Sequence, residues 1–67
     1  MGNIGESRMK YKIGDVVQMS SMWDNRYGII IDINDTGTGY PPSYRIIVQG
    51  NSNPAWMAEF VIVRKVD

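Results

Sequence analysis

The chain has 67 residues, seven basic and seven acidic side chains, and neither cysteine nor histidine. One small core is all that this length allows, and the missing residue types exclude disulfide staples, thiol nucleophiles, imidazole acid–base chemistry and the usual zinc sites. No apolar run is long enough to span a bilayer, and no basic stretch followed by an apolar segment opens the chain, so a soluble intracellular domain stabilised by apolar packing and backbone pairing is expected.

Residues 1–9 are polar and Gly-rich and read as a flexible tail ahead of a single domain at residues 10–67. From Tyr11 onward, short runs rich in Ile, Val and Tyr alternate with Gly, Asn, Asp, Ser and Pro clusters at intervals of about eight to twelve residues, which predicts an all-β barrel or sandwich. The first strand is DVVQM at residues 15–19. The second, RYGIIIDI, is predicted to place Tyr27, Ile29, Ile31 and Ile33 on the core face and Gly28, Ile30 and Asp32 on the other. Gly28 inside it marks a bulge, a sharp bend or the close approach of another backbone. The third strand, YRIIVQ, sets Tyr44, Ile46 and Val48 on one face. The turn GNSN then makes a hairpin with PAWM, a helical turn follows at residues 58–60, and a fifth strand closes the chain at residues 61–66.

The order KIGDVVQM, RYGIIIDI, a variable loop, YRIIVQG and AWMAEFVIV resembles the SH3-like small-barrel layout of KOW-type and Tudor-like domains. It is also similar to small proteins encoded by tailed bacteriophages. The resemblance covers residues 10–66 and implies a five-stranded SH3-like barrel with one short helical turn before the last strand, in which Phe60 closes the barrel end. The body departs from a KOW domain in being mildly acidic, with Arg26 and Arg45 against Asp15, Asp24, Asp32, Asp35 and Glu59 over residues 13–63. It also carries no ALYDY-type segment of a signalling SH3 domain.

Four features carry candidate chemistry. Asp35-Thr36-Gly37 matches the tripeptide of aspartic proteases, but that chemistry needs two carboxylates sharing a proton on buried turns. Its flanks here are Asn34 and Thr38, and Asn34, Asp35, Gly37 and Gly39 packed into six residues favour an ordinary turn. Pro41-Pro42-Ser43-Tyr44 fits the PPxY peptide that WW domains bind, and equally fits a stiffened loop end followed by a core tyrosine in phase with Ile46. Trp23, Tyr27, Tyr40, Tyr44 and Trp56 would form a cage around a methylated cation if one rim gathered them, with Asp24 assisting; otherwise they are core. Trp23, in the polar segment SSMWDN, is the member most expected to be exposed. Lastly, Arg8, Lys10, Lys12, Arg64 and Lys65 cluster at the chain ends and would merge into a phosphate-contacting patch if the first and last strands are neighbours.

The expected function is therefore a non-catalytic protein-binding or assembly module, phage-encoded and acting in the host cytoplasm or the virion. Its contact residues are Met22, Trp23, Asp24, Tyr40 and Trp56, large or polar groups in loops where a monomer has little reason to expose them. No cofactor or metal is expected. The alternative is a KOW-like nucleic-acid contact through Arg8, Lys10, Lys12, Arg64 and Lys65, and edge strands offer a route to homo-oligomers.

Overall fold

The computed structural model describes residues 10–35, 37 and 39–66. Five runs pair as strands: β1 (Val16–Met19), β2 (Tyr27–Asn34), β3 (Ser43–Val48), β4 (Ala55–Ala58) and β5 (Ile62–Lys65). They form one antiparallel sheet in the order β4-β3-β2-β1-β5. The all-β, five-stranded architecture expected from the sequence is present, with a 3-10 turn, Glu59–Val61, immediately before β5. A further 3-10 turn, Ser21–Trp23, lies in the β1–β2 connection, where Ser20 caps it by accepting from the Met22 amide at 3.3 Å. Among the described residues no helix is long and apolar enough to cross a membrane.

The sheet is not closed, since β4 and β5 are its two edges. One face is nonetheless sealed. Val17, Met19, Ile30, Tyr44 and Ile46 are fully buried, and Val48, Met57, Val61 and Ile62 nearly so. The described residues contain no second layer to cover that face, so side chains from both ends of the strand order can meet only if the sheet curls around them. The result is compatible with a small barrel whose last seam lacks a hydrogen-bonded ladder.

Two packing expectations are corrected. In β2 the core face is the one carrying Gly28 and Ile30, while Tyr27, Ile29 and Ile31 face outward. The register shifts between Ile30 and Asp32, and this bulge at Ile31 returns Ile33 to the inner face opposite Tyr44. Four isoleucines within five positions hide that change of phase. Phe60 does not close the barrel end either, being 78% exposed, whereas Val61 beside it is buried. A tight three-residue turn puts adjacent side chains on different sides, and here it turns Val61 inward.

The β2–β3 connection settles the two peptide motifs. Asp35 is exposed and its Oδ1 accepts from the Gly37 amide at 3.1 Å, a local turn contact. Gly37 and Gly39 adopt positive φ, which their lack of a Cβ permits; Thr36 lies outside the described residues. Tyr44 is buried rather than presented to a groove, in phase with Ile46 and Val48 as expected.

Candidate functional site: the outer face of the sheet

Cross-strand partners share a face of a sheet, so the register fixes which side chains become neighbours on the side away from the core. Val16 of β1 stands opposite Ile29 of β2, and Ile29 opposite Ile47 of β3. These three are 37%, 47% and 40% exposed and make an apolar row across the three strands. On one side runs a polar row, in which Arg64 Nε donates to Gln18 Oε1 at 3.0 Å and Gln18 stands opposite Tyr27. On the other side, Asp32, Arg45 and Trp56 stand opposite one another on β2, β3 and β4. Val16, Tyr27, Ile29, Ile47, Gln49 and Gly50 line an open cleft of about 400 Å³ along the apolar row. A large side chain of a binding partner fits a volume of that order.

Sequence reasoning missed this row because Ile29 was expected inside. Only Ile47 carried a local signal, standing out of phase with Tyr44, Ile46 and Val48. The remainder depends on which residues the strands bring opposite each other, for which a linear pattern has no marker.

The five residues expected to make the contact are dispersed over three elements. Met22, Trp23 and Asp24 belong to the β1–β2 connection, Tyr40 to the β2–β3 loop and Trp56 to β4. Met22, Asp24, Tyr40 and Trp56 are exposed. Trp23 is not the exposed aromatic expected, because it is half-buried and packs against the core. Asp24 and Asn25 both adopt positive φ, and Asn25 Nδ2 donates to the Met19 carbonyl at 3.3 Å, so the loop folds back onto the end of β1 and carries Trp23 with it. Among the described residues the single aromatic ring pair is Tyr11 with Tyr44, edge to face at 5.6 Å. The five cage candidates make no ring contact with one another.

Tyr44 instead serves the fold. Its hydroxyl donates to Glu59 Oε2 at 2.8 Å, tying β3 to the turn before β5. Burial, then the hydrogen bond to Glu59 and the charge of that carboxylate, push the Tyr44 phenol far above its ordinary range. Burial and then the same carboxylate raise Tyr11 as well.

The basic ends converge only in part. β1 and β5 are neighbours, as the patch requires, but Lys12 Nζ and Lys65 Nζ each lie 3.8 Å from Oδ1 of the buried Asp15. Arg64 is tied to Gln18 as above. Lys10 lies elsewhere, lining a separate cleft with Pro41, Glu59 and Phe60. Arg8 lies outside the described residues. Among the described residues no group of three or more acidic side chains is placed to hold a metal ion.

Comparison with known proteins finds no matching family model, no matching curated protein and no matching solved structure.

Proposed function

We propose that this chain is a non-catalytic protein-binding or assembly module of SH3-like layout, whose contact surface is the outer face of the sheet along Val16, Ile29 and Ile47. The observation that carries the reading is the apolar row itself, with Gln18 and Arg64 beyond it on one side and Asp32 and Arg45 beyond it on the other, polar groups of the kind found at an interface rim. Trp56 belongs to the same face and extends the contact toward β4, while Met22 and Tyr40 offer further exposed apolar surface in the loops. Resemblance to small proteins of tailed phages supports a phage-encoded role in the virion or on a host protein in the cytoplasm. The test is a photo-crosslinking residue at position 47 in the cell that makes the protein. A defined protein adduct, lost when Ile29→Lys is added, is the expected result; no adduct, or one indifferent to Ile29→Lys, contradicts the reading.

A second reading is favoured by the β1–β5 pairing, which gathers Lys12 and Lys65 around Asp15 with Arg64 next in the chain on the opposite face of β5, a KOW-like nucleic-acid contact at this end of the sheet with Lys10 and Arg8 as outlying members. Asp15 offsets two of these cations. The reading requires affinity for short duplex or single-stranded nucleic acid that falls steeply with salt. Binding that salt leaves unchanged, or that survives neutralising Lys12, Arg64 and Lys65, rules it out.

A further inference from the structure

β4 is one of the two edges of the sheet, and the hydrogen-bond pattern fixes which of its backbone groups are left over. Opposite residues of an antiparallel ladder alternate between hydrogen-bonded and non-hydrogen-bonded pairs, so one bond sets the phase of a whole strand. The Gln49 amide donates to the Tyr27 carbonyl at 2.7 Å, which turns the backbone groups of Gln49, Ile47, Arg45 and Ser43 toward β2. Tyr44 and Ile46 therefore bond β4, through their partners Met57 and Ala55. The N–H groups of Trp56 and Ala58 and the Trp56 carbonyl point away from β3, and among the described residues no turn or loop group bonds them. We infer that this edge takes up a short extended segment of a protein partner, which adds to the sheet as a strand beside β4. This rests on the protein-contact reading above and specifies the partner's chemistry on the side where Trp56 stands.

The other edge is protected and β4 is not. β5 carries Arg64 and Lys65, and its register with β1 shifts between Gln18 and Met19; such charges and bulges hinder a further strand. β4 reads Ala-Trp-Met-Ala, without charge and without a register shift against β3. Its length sets the kind of occupant. Pro54, which has no N–H, lies before it and the Glu59–Val61 turn after it, so four residues are offered, or about 13 Å of strand. That suits one extended segment, whereas two folded proteins hold together through roughly 800 Å² per partner, far more than this edge supplies. Side chains on the added strand alternate between faces. Those beside Trp56 and Ala58 stand on the outer face, one against the exposed indole and the other, two residues along, toward the cleft that Ala58 lines with Pro41, Phe60 and Ile62. Lys10 and Glu59 at that cleft are of opposite sign, so two apolar side chains spaced two residues apart are the pattern the edge selects.

The test is an amide-shift titration of the isotope-labelled full chain with the capped heptapeptide Thr-Val-Thr-Val-Thr-Val-Thr, whose residues favour strands and whose valines share one face. A control peptide is methylated on its valine nitrogens, which carry the N–H groups turned toward β4. Ala58 has φ −71°, the value proline imposes, and its N–H faces away from β3, so Ala58→Pro removes one edge donor and leaves the β3–β4 ladder whole. Shifts centred on Trp56 and Ala58 are expected with the first peptide and none with the control. Ala58→Pro should raise the dissociation constant about tenfold at an unchanged melting temperature, the effect of one lost hydrogen bond. Equal shifts with the control, shifts centred on β5 or on the Val16–Ile29–Ile47 row, or an unmoved spectrum each overturn strand addition at β4. Shifts at Trp56 and Ala58 that grow with protein concentration before any peptide is added give the edge to a second copy and overturn the proposed occupant. Should Ala58→Pro not fold, the control peptide decides. If the spectrum is unmoved while the crosslink from position 47 still joins another protein, the protein-contact reading stands without this edge; if neither occurs, both fall.

Discussion

Gly28 lies where neighbouring groups leave no room for a side chain. A Cβ built there would stand 2.5 Å from Ile46 Cγ2 and 2.9 Å from both the Ile47 carbonyl oxygen and Met19 Cε. The backbone oxygen cannot step aside as a flexible side chain would, so Gly28→Ala should lose about 1–3 kcal/mol, the usual cost of overpacking a core. Urea unfolding measures it, and an unchanged midpoint would mean that the two strands do not approach this closely. Of the three roles that the sequence allowed for this glycine, close approach is the one realised, and the bulge falls three residues later.

Tyr44 gives a pH dependence of definite sign. Its folded state favours the neutral phenol, since burial and the Glu59 carboxylate both oppose ionisation. The unfolded chain ionises near the ordinary tyrosine value of about 10, so the folded form binds the extra proton above that pH. The stabilisation is thus fully present below about pH 10 and is lost as pH rises further. Tyr44→Phe should cost about 1–2 kcal/mol at neutral pH, through the hydrogen bond to Glu59, and should flatten the alkaline fall in stability. A wild-type protein whose melting temperature holds steady well above pH 10 would contradict this.

At the scale of elements, strand phase was legible where one face was plainly polar and lost where both were apolar. β3 reads correctly because Arg45 interrupts Tyr44, Ile46 and Val48, and Gln49, in phase with it, follows directly after the strand. β2 reads inverted because Ile29, Ile30, Ile31 and Ile33 satisfy either face, and the bulge shifts the phase partway along. The turn before β5 was found but its inward residue misassigned: size suggested Phe60, while the tight backbone turns Val61 inward. The β1–β2 connection shows the opposite limit. A polar run around Trp23 suggested exposure, yet Asn25 draws the loop back onto β1 and the indole packs on the core. Trp23→Ala should therefore lose about 2 kcal/mol, roughly half the cost of truncating a fully buried tryptophan. Thermal melts test this, and a variant with the wild-type midpoint would return Trp23 to the free surface.

At the scale of the molecule, the sheet formed by the described residues supplies the core from one face and the candidate contact from the other. The inner face takes the residues that the curl can seal. The outer face is left with Val16, Ile29 and Ile47 in one row, an arrangement created by register between strands that are separated in the chain. Fold class was therefore legible in composition and turn spacing, whereas the candidate site was not. The proposed contact requires Ile29 to face outward. Ile29→Lys, followed by both a thermal melt and the crosslinking readout at position 47, tests that most directly. The expected result is a loss of no more than about 1 kcal/mol, the scale of an exposed strand substitution, together with loss of the adduct. Unfolding of the variant would show that Ile29 is a core residue after all, and an undiminished adduct in a folded variant would show that the apolar row is not the contact.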